Sequence, residues 1–244
     1  MIRAIVEVTA RGVLGRRRSL VVVLFAALPV LVALVVRVGG STGDAVSLSA
    51  DLLDLLVVRT VLPLVALVFG TAVLGSELDD GTAIHLLVKP VERWRIVFAK
   101  LVVAAALTVG LAALVTLVAG LVVGGGRGAE RLVLASTVAV AVGGLVYAAL
   151  FLALSLVTSR ALIVGLGYVL VWEGALGGLL EGTQAFSVRQ YTLAIARLLA
   201  GDDGQAINVS LDPPTAIVLS AIVLAGAFAL AVRRLATYEV HGTA

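Results

Sequence analysis

The stretch LVVAAALTVGLAALVTLVAGLVVGGG, residues 101–126, contains no charged side chain. Wound as a helix at about 1.5 Å per residue it is ~39 Å long, more than the ~30 Å of a bilayer's hydrocarbon layer. Apolar residues occupy every side of it, not the single stripe that a soluble surface helix shows. A helix apolar all round needs either lipid or the centre of a large core, and a chain of 244 residues offers little room for the latter. Lipid is therefore the expected solvent. Lys100 on one side and Arg127 on the other close the run.

Working outward, the pattern recurs. Residues 19–36 form an uncharged run interrupted by Pro29 and bounded by Arg16-Arg17-Arg18 and Arg37. Thr60–Ser76 is another, beginning nearer Leu55 with Arg59 inside its outer end. Leu132–Ser159 is broken by Arg160, and Ala161–Leu180 carries a single internal charge, Glu173. Pro213–Val232 starts at Asp212 with two prolines and stops at Arg233-Arg234. The expected architecture is all-α, one transmembrane domain over residues 1–244, with spans near 19–37, 55–76, 97–123, 132–158, 161–181 and 213–233. Residues 2–15, with Ile2, Ile5, Val6, Val13 and Leu14 near one face, predict an amphipathic helix lying in the interface. A basic stretch before an apolar run can also be a signal peptide, but this run is long for one and lacks a small-residue cleavage site, so it is read as a retained span.

The whole composition agrees. Hydrophobic residues make up 61% and charged residues 14% of the chain, against roughly 45–50% and 25% in soluble domains; mean hydropathy is +1.17. There is no cysteine, which removes disulfides, thiolate metal sites and cysteine nucleophiles together. The net charge of +3 sits at helix ends and not in a stripe, so nucleic acid is not an expected partner. The usage is rich in alanine, valine, glycine and arginine, with lysine only at 89 and 100, which points to a high-GC bacterium and its plasma (inner) membrane.

Orientation follows from the basic residues. With both termini cytoplasmic, 12 of the 18 lysines and arginines fall inside and 6 outside, and both lysines are inside. Two connections are then long enough to matter. One is external, 181–212, where Ser187 is placed to cap a short amphipathic helix with Val188, Tyr191, Ile195, Leu198 and Leu199 on one face; such a helix would lie at the outer surface or dip in beside spans five and six. The other is cytoplasmic, 77–100. There Asp79 or Asp80 can cap a short helix, Gly81 frees the backbone at its entry, and Ile84, Leu87 and Val88 give it an apolar face. Pro90 ends it, and Arg93, Trp94 and Arg95 mark the interface beyond. The product is a short charged knob between two spans, suited to passing force to a cytoplasmic partner.

This segment carries a resemblance. Glu77, Gly81-Thr82, Leu86-Leu87, Pro90, Arg93 and Lys100, in that order between spans two and three, resemble the pattern of the permease subunits of ABC-2 type ABC transporters. Tyr147 and Ser155, Trp172-Glu173-Gly174 and Ser187-Val188-Arg189-Gln190-Tyr191 look like one bacterial branch of the same family. Asp79-Asp80 departs from it, standing where a glutamate and a variable residue are expected. The resemblance implies an ATPase-coupling role for Glu77, Asp79, Asp80, Gly81, Thr82, Leu86, Leu87, Pro90 and Arg93. It further implies a second permease subunit, in a homo- or heterodimer, and two copies of a separately encoded ATPase, with substrate usually exported. The chain has no G-x-x-x-x-G-K-[ST] tract. It is therefore expected to hold no cofactor and perform no catalysis itself, ATP and Mg²⁺ belonging to the partner.

Other readings fit the residues less well. Asp79-Asp80-Gly81 has the wrong carboxylate spacing for a CDP-alcohol phosphotransferase, and no catalytic set lies at one depth. His85 and His241 are isolated, without metal-ligand spacing. Tyr147 reads first as packing, with substrate contact as the alternative. Glu173 lies about 18 Å into its span, where a charge costs roughly 2.5–3.5 kcal/mol on insertion scales and needs a partner or a cavity. Arg59, in the same outer half, is one such partner, which would make the pair a helix lock. The alternative is a pathway-lining carboxylate. An ATP-independent secondary transporter using Glu173 as an ion or proton site is the rival function.

Overall fold

The computed structural model describes residues 17–39, 43–79, 92–176 and 183–237. Among these every regular element is helical. The first apolar run forms two helices, α1 (Arg17–Ala26) and α2 (Leu28–Val38), with Pro29 in the first turn of α2. Proline has no N–H to continue the ladder, which is why the run breaks at Ala27.

The second run begins fifteen residues before its uncharged core does. Asp44 accepts a hydrogen bond from the Ser47 N–H (3.1 Å) and starts α3 (Ala45–Leu52), which continues through a π-helical segment (Leu53–Val61) into α4 (Leu62–Asp79). Asp51, Asp54 and Arg59 are thus helical residues. On the far side, α5 (Arg93–Gly124) already contains Arg93 and Lys100, so most of what reads as a charged loop after residue 92 is helix. Lys100 is fully buried, and its Nζ donates to the Val73 carbonyl at 3.1 Å. Then follow α6 (Glu130–Val157), α7 (Ala161–Gly167) with a second π-helical segment (Tyr168–Leu176), and a 3₁₀ turn (Thr183–Phe186). The described chain ends with α8 (Val188–Ala200), another 3₁₀ turn (Gly201–Ala206) and α9 (Pro213–Ala236).

Among the described residues four helical stretches are long and apolar enough to cross a membrane: Ala45–Val73, Arg93–Gly124, Glu130–Val157 and Pro213–Ala236; Val22–Val38 and Ala161–Glu173 are shorter apolar helices. The protein is a multi-pass membrane protein with an all-helical described structure. The interfacial helix expected over 2–15 lies outside the described residues, as do His85 and His241.

The bundle is organised around α6, which packs against α4, α5, α8 and α9. Lipid-solvated helices gain little from apolar contact as such, so close backbone approach matters more. Two glycines show it. A Cβ on Gly120 of α5 would lie 2.7 Å from the Val133 methyls of α6, and one on Gly143 of α6 would lie 2.2 Å from Thr192 Oγ1 of α8. Buried hydroxyls on the spans turn back to their own helix: Thr71, Thr116 and Ser220 donate to the carbonyls of Leu67, Ala112 and Ala216, each at 2.7 Å.

Candidate functional site

The contacts along α6 place α8. Arg131 meets Gly201, Gly143 meets Thr192, and Phe151 and Leu154 share a cavity wall with Val188 and Tyr191. Residue numbers rise along α6 as they fall along α8, so the two helices run antiparallel. The N-terminus of α8 therefore lies beside the interior of α6, about 25–30 Å from its start at Glu130. The helix was expected to show a single apolar face. Instead nine of its thirteen residues are buried, Gln190 and Thr192 among them, while Leu198 and Leu199 are exposed. Burial on several sides, by α6 and α9, is the reason.

Ser187 caps α8 as its position predicts, its Oγ accepting from the Gln190 N–H at 3.3 Å. The same hydroxyl donates to Glu173 Oε2 at 2.6 Å. Glu173 Oε1 accepts from the Val188 N–H at 3.0 Å and from the Tyr168 hydroxyl at 3.2 Å. A carboxylate from the π-helical segment is thus seated on the positive end of α8, where unpaired N–H groups and the helix dipole both favour an anion. Glu173 is only 1% exposed. Three donors compensate its burial.

The next residue of α8 makes a second tie. Arg189 Nε and Nη2 bind Asp54 Oδ1 and Oδ2 at 2.9 and 2.6 Å, a bidentate pair between α8 and the first π-helical segment. The first turn of α8 therefore holds carboxylates from two separate π-helical segments. Such segments are rare and cluster at functional positions. This pairing was missed from sequence because Asp54 and Arg189 are 135 residues apart. The signal available was the charge of Arg189 beside a cap residue.

Tyr147 is fully buried and stacks on Phe151, ring centroids 5.9 Å apart, with Phe151 edge-on to Tyr168 at 6.3 Å. Among the described residues its hydroxyl makes no hydrogen bond, although Glu173, Tyr168 and Arg189 are within electrostatic reach. Beside this stack lies a cavity of about 650 Å³ between α6, α7 and its π-helical extension, α8 and α9. Trp172 forms part of its wall, with Nε1 donating to the Phe186 carbonyl at 3.3 Å. Tyr191, from α8, donates its hydroxyl to the Ala185 carbonyl. The volume suits a small-molecule ligand.

The predicted coupling residues divide. Glu77 and Asp79 fall in the last turn of α4, and Arg93 opens α5. Asp80, Gly81, Thr82, Leu86, Leu87 and Pro90 lie outside the described residues. Glu92, the N-cap of α5, accepts from Arg95 Nε at 2.6 Å and from Trp94 Nε1 at 3.1 Å, with the Arg95 guanidinium 5.5 Å from the indole centroid. Glu173 and Arg93 are thus in separate places, and the sequence-predicted residues form two groups.

Comparison with known proteins adds one finding. Residues 15–173 match the family described as ABC-2 family transporter protein, a stretch that runs from before α1 to Glu173 and includes the 77–90 segment. No match was found among curated proteins or among solved structures. The match covers well over half of the chain, the helical architecture is that of a multi-pass membrane protein, and the chain belongs to the ABC-2 family of transporter membrane proteins.

Proposed function

We propose that this chain is the permease subunit of an ATP-driven ABC-2 exporter, one of a pair, coupled through residues 77–90 to two copies of a separately encoded ATPase. The observation that carries this reading is the family match across 15–173, which takes in the coupling segment and both helices that flank it. Those helices are packed together, Lys100 of α5 donating to the Val73 carbonyl of α4, so a push on the segment between them reaches the bundle as one body. ATP and Mg²⁺ are bound by the partner, and this chain transmits force and shapes the path. In this reading the chain crosses the bacterial plasma membrane six times. The spans are α1–α2, α3–α4, α5, α6, α7 with its π-helical extension, and α9, with both termini cytoplasmic. The 12-to-6 distribution of basic residues supports that orientation.

The test is copurification followed by uncoupling. The native chain is expected to bring down an ATPase subunit with Walker motifs. Glu77→Ala, and more severely Gly81→Pro, which fixes φ and removes an N–H, are expected to leave the chain inserted while separating ATP hydrolysis from transport. Normal coupling in both variants overturns the assignment to 77–90, and ion-driven transport with no ATPase bound overturns the permease reading itself. Single cysteines at Asp80 and Gln205 test orientation in this cysteine-free chain. An impermeant reagent on intact cells is expected to label position 205 and spare position 80, and the reverse pattern overturns it.

A further inference from the structure

The cavity beside α8 is aromatic out of proportion to the chain. Phenylalanine, tyrosine and tryptophan total twelve residues, about one in twenty. Five of them, Phe151, Tyr168, Trp172, Phe186 and Tyr191, line this one space, from four different elements. Two further features set its electrostatics. Tyr168 and Val188 belong to the wall, and both donate a hydrogen bond to Glu173 Oε1, so the buried carboxylate lies directly behind the lining. Arg189 is bound bidentately to Asp54. The positive end of α8 offsets only about half a charge. The wall is therefore aromatic and backed by a buried carboxylate. Ring faces attract cations, and the attraction grows as the cation is stripped of water.

From this we infer that the cavity is a binding site for a lipophilic organic cation, such as a quaternary ammonium or phosphonium carrying apolar groups. An inorganic cation would find no open carboxylate in the lining, because Glu173 is already occupied by three donors. A lipophilic anion would face the carboxylate. A neutral apolar molecule would fill the space but gain nothing from the charge. Only the description of this cation as the transported substrate rests on the permease reading; binding to the isolated chain is measured without an ATPase. Failure to find an ATPase therefore leaves the site standing, and failure of binding leaves the permease standing.

Two tryptophans, Trp94 and Trp172, simplify the experiment. In Trp94→Phe the remaining indole lies in the cavity wall and reports occupancy by its fluorescence. The purified full chain in a neutral detergent is titrated with tetraphenylphosphonium, with its size-matched anion tetraphenylborate, and with neutral triphenylphosphine. The expected result is saturable quenching by the cation with at least about tenfold tighter binding than either of the others. In the Trp94→Phe background, Glu173→Gln is expected to weaken cation binding severalfold while leaving the neutral probe unchanged. Val223→Trp, which fills the cavity from α9, is expected to abolish displaceable binding of all three, read by equilibrium dialysis. Equal affinity for the three probes identifies a lipid-filled groove and overturns the inference. So does a cation preference undiminished by Glu173→Gln, or binding that survives Val223→Trp. If Glu173→Gln does not fold, the three-probe comparison in folded Trp94→Phe protein decides by itself.

Discussion

Two neighbouring helices obey opposite rules. α9 is a long apolar helix in which five of twenty-four residues are buried by protein, most of them alanine or serine. α8 is half as long, carries Arg189, Gln190, Thr192 and Arg197, and has nine of its thirteen residues buried. In water the more apolar helix would be the more buried one. Here apolar side chains mark contact with lipid, which is as apolar as leucine and leaves no reason to bury them further. Polar side chains mark contact with protein, because only protein offers them partners away from water. The polar helix is inside and the apolar helix outside.

The largest break in that comparison comes from Glu173. Replacing it with leucine leaves the Ser187 hydroxyl, the Val188 N–H and the Tyr168 hydroxyl without their acceptor in a buried place. Each such group costs on the order of 1–3 kcal/mol, so Glu173→Leu is expected to lose about 3 kcal/mol or more. Recovery of folded protein in gel filtration and the thermal midpoint both measure it. Glu173→Gln retains two acceptor lone pairs and is expected to lose less than half as much.

A smaller effect is expected at the other tie. Arg189 and Asp54 are 15% and 28% exposed, so their attraction is partly screened. Either single change to leucine is expected to cost about 1–2 kcal/mol. The double change Asp54→Leu/Arg189→Leu should cost less than the two singles combined. A double-mutant cycle measures the coupling, and strict additivity would mean that the ion pair adds nothing.

Packing between α6 and α8 gives the third test. Gly143→Val drives side-chain atoms into Thr192 and is expected to cost about 1–3 kcal/mol, with part of the loss restored by Thr192→Ala. On α9, Ile222→Ala at a position 60% exposed is expected to change stability by no more than about 0.5 kcal/mol. Equal effects at the two sites would erase the contrast between the helices.

The smallest effect lies at the start of α9. Asp212 accepts from the Thr215 N–H at 3.1 Å, and its bonds to Thr215 hold its carboxyl below the usual aspartate range. The folded form thus favours the charged cap. Its contribution is complete above about pH 4, the ordinary aspartate pKa, and is lost as pH falls through the lower folded value. Asp212→Ala is expected to show a slightly lower thermal midpoint than the native protein at pH 7, and the gap should narrow in acid.

What was legible in sequence followed from chain-local physics. The uncharged runs around 101–126 and 132–159 fix long apolar helices because no backbone N–H or carbonyl can be left unpaired in lipid. Pro29 and Asp212 mark a break and a start through their own geometry. Ser187 was identifiable as a cap for the same reason. Glu173 could be singled out because a charge within an apolar run must have a compensating neighbour, and it has three.

Which neighbours these are was not legible. Arg59 and Arg189 are equally plausible partners for an acid in a one-dimensional reading, and α8 looks like a surface helix because its composition is compared with water. Only the fold decides that α8 is enclosed by α6 and α9, that its first turn faces Glu173 and Asp54 together, and that five scattered aromatics meet around one cavity. The sequence by itself determined that the solvent is lipid and where the helices run, since both depend on residues close along the chain. The tertiary structure alone decided which polar groups share a place, because hydrogen bonds and ion pairs reach only a few ångströms and their partners come from distant segments.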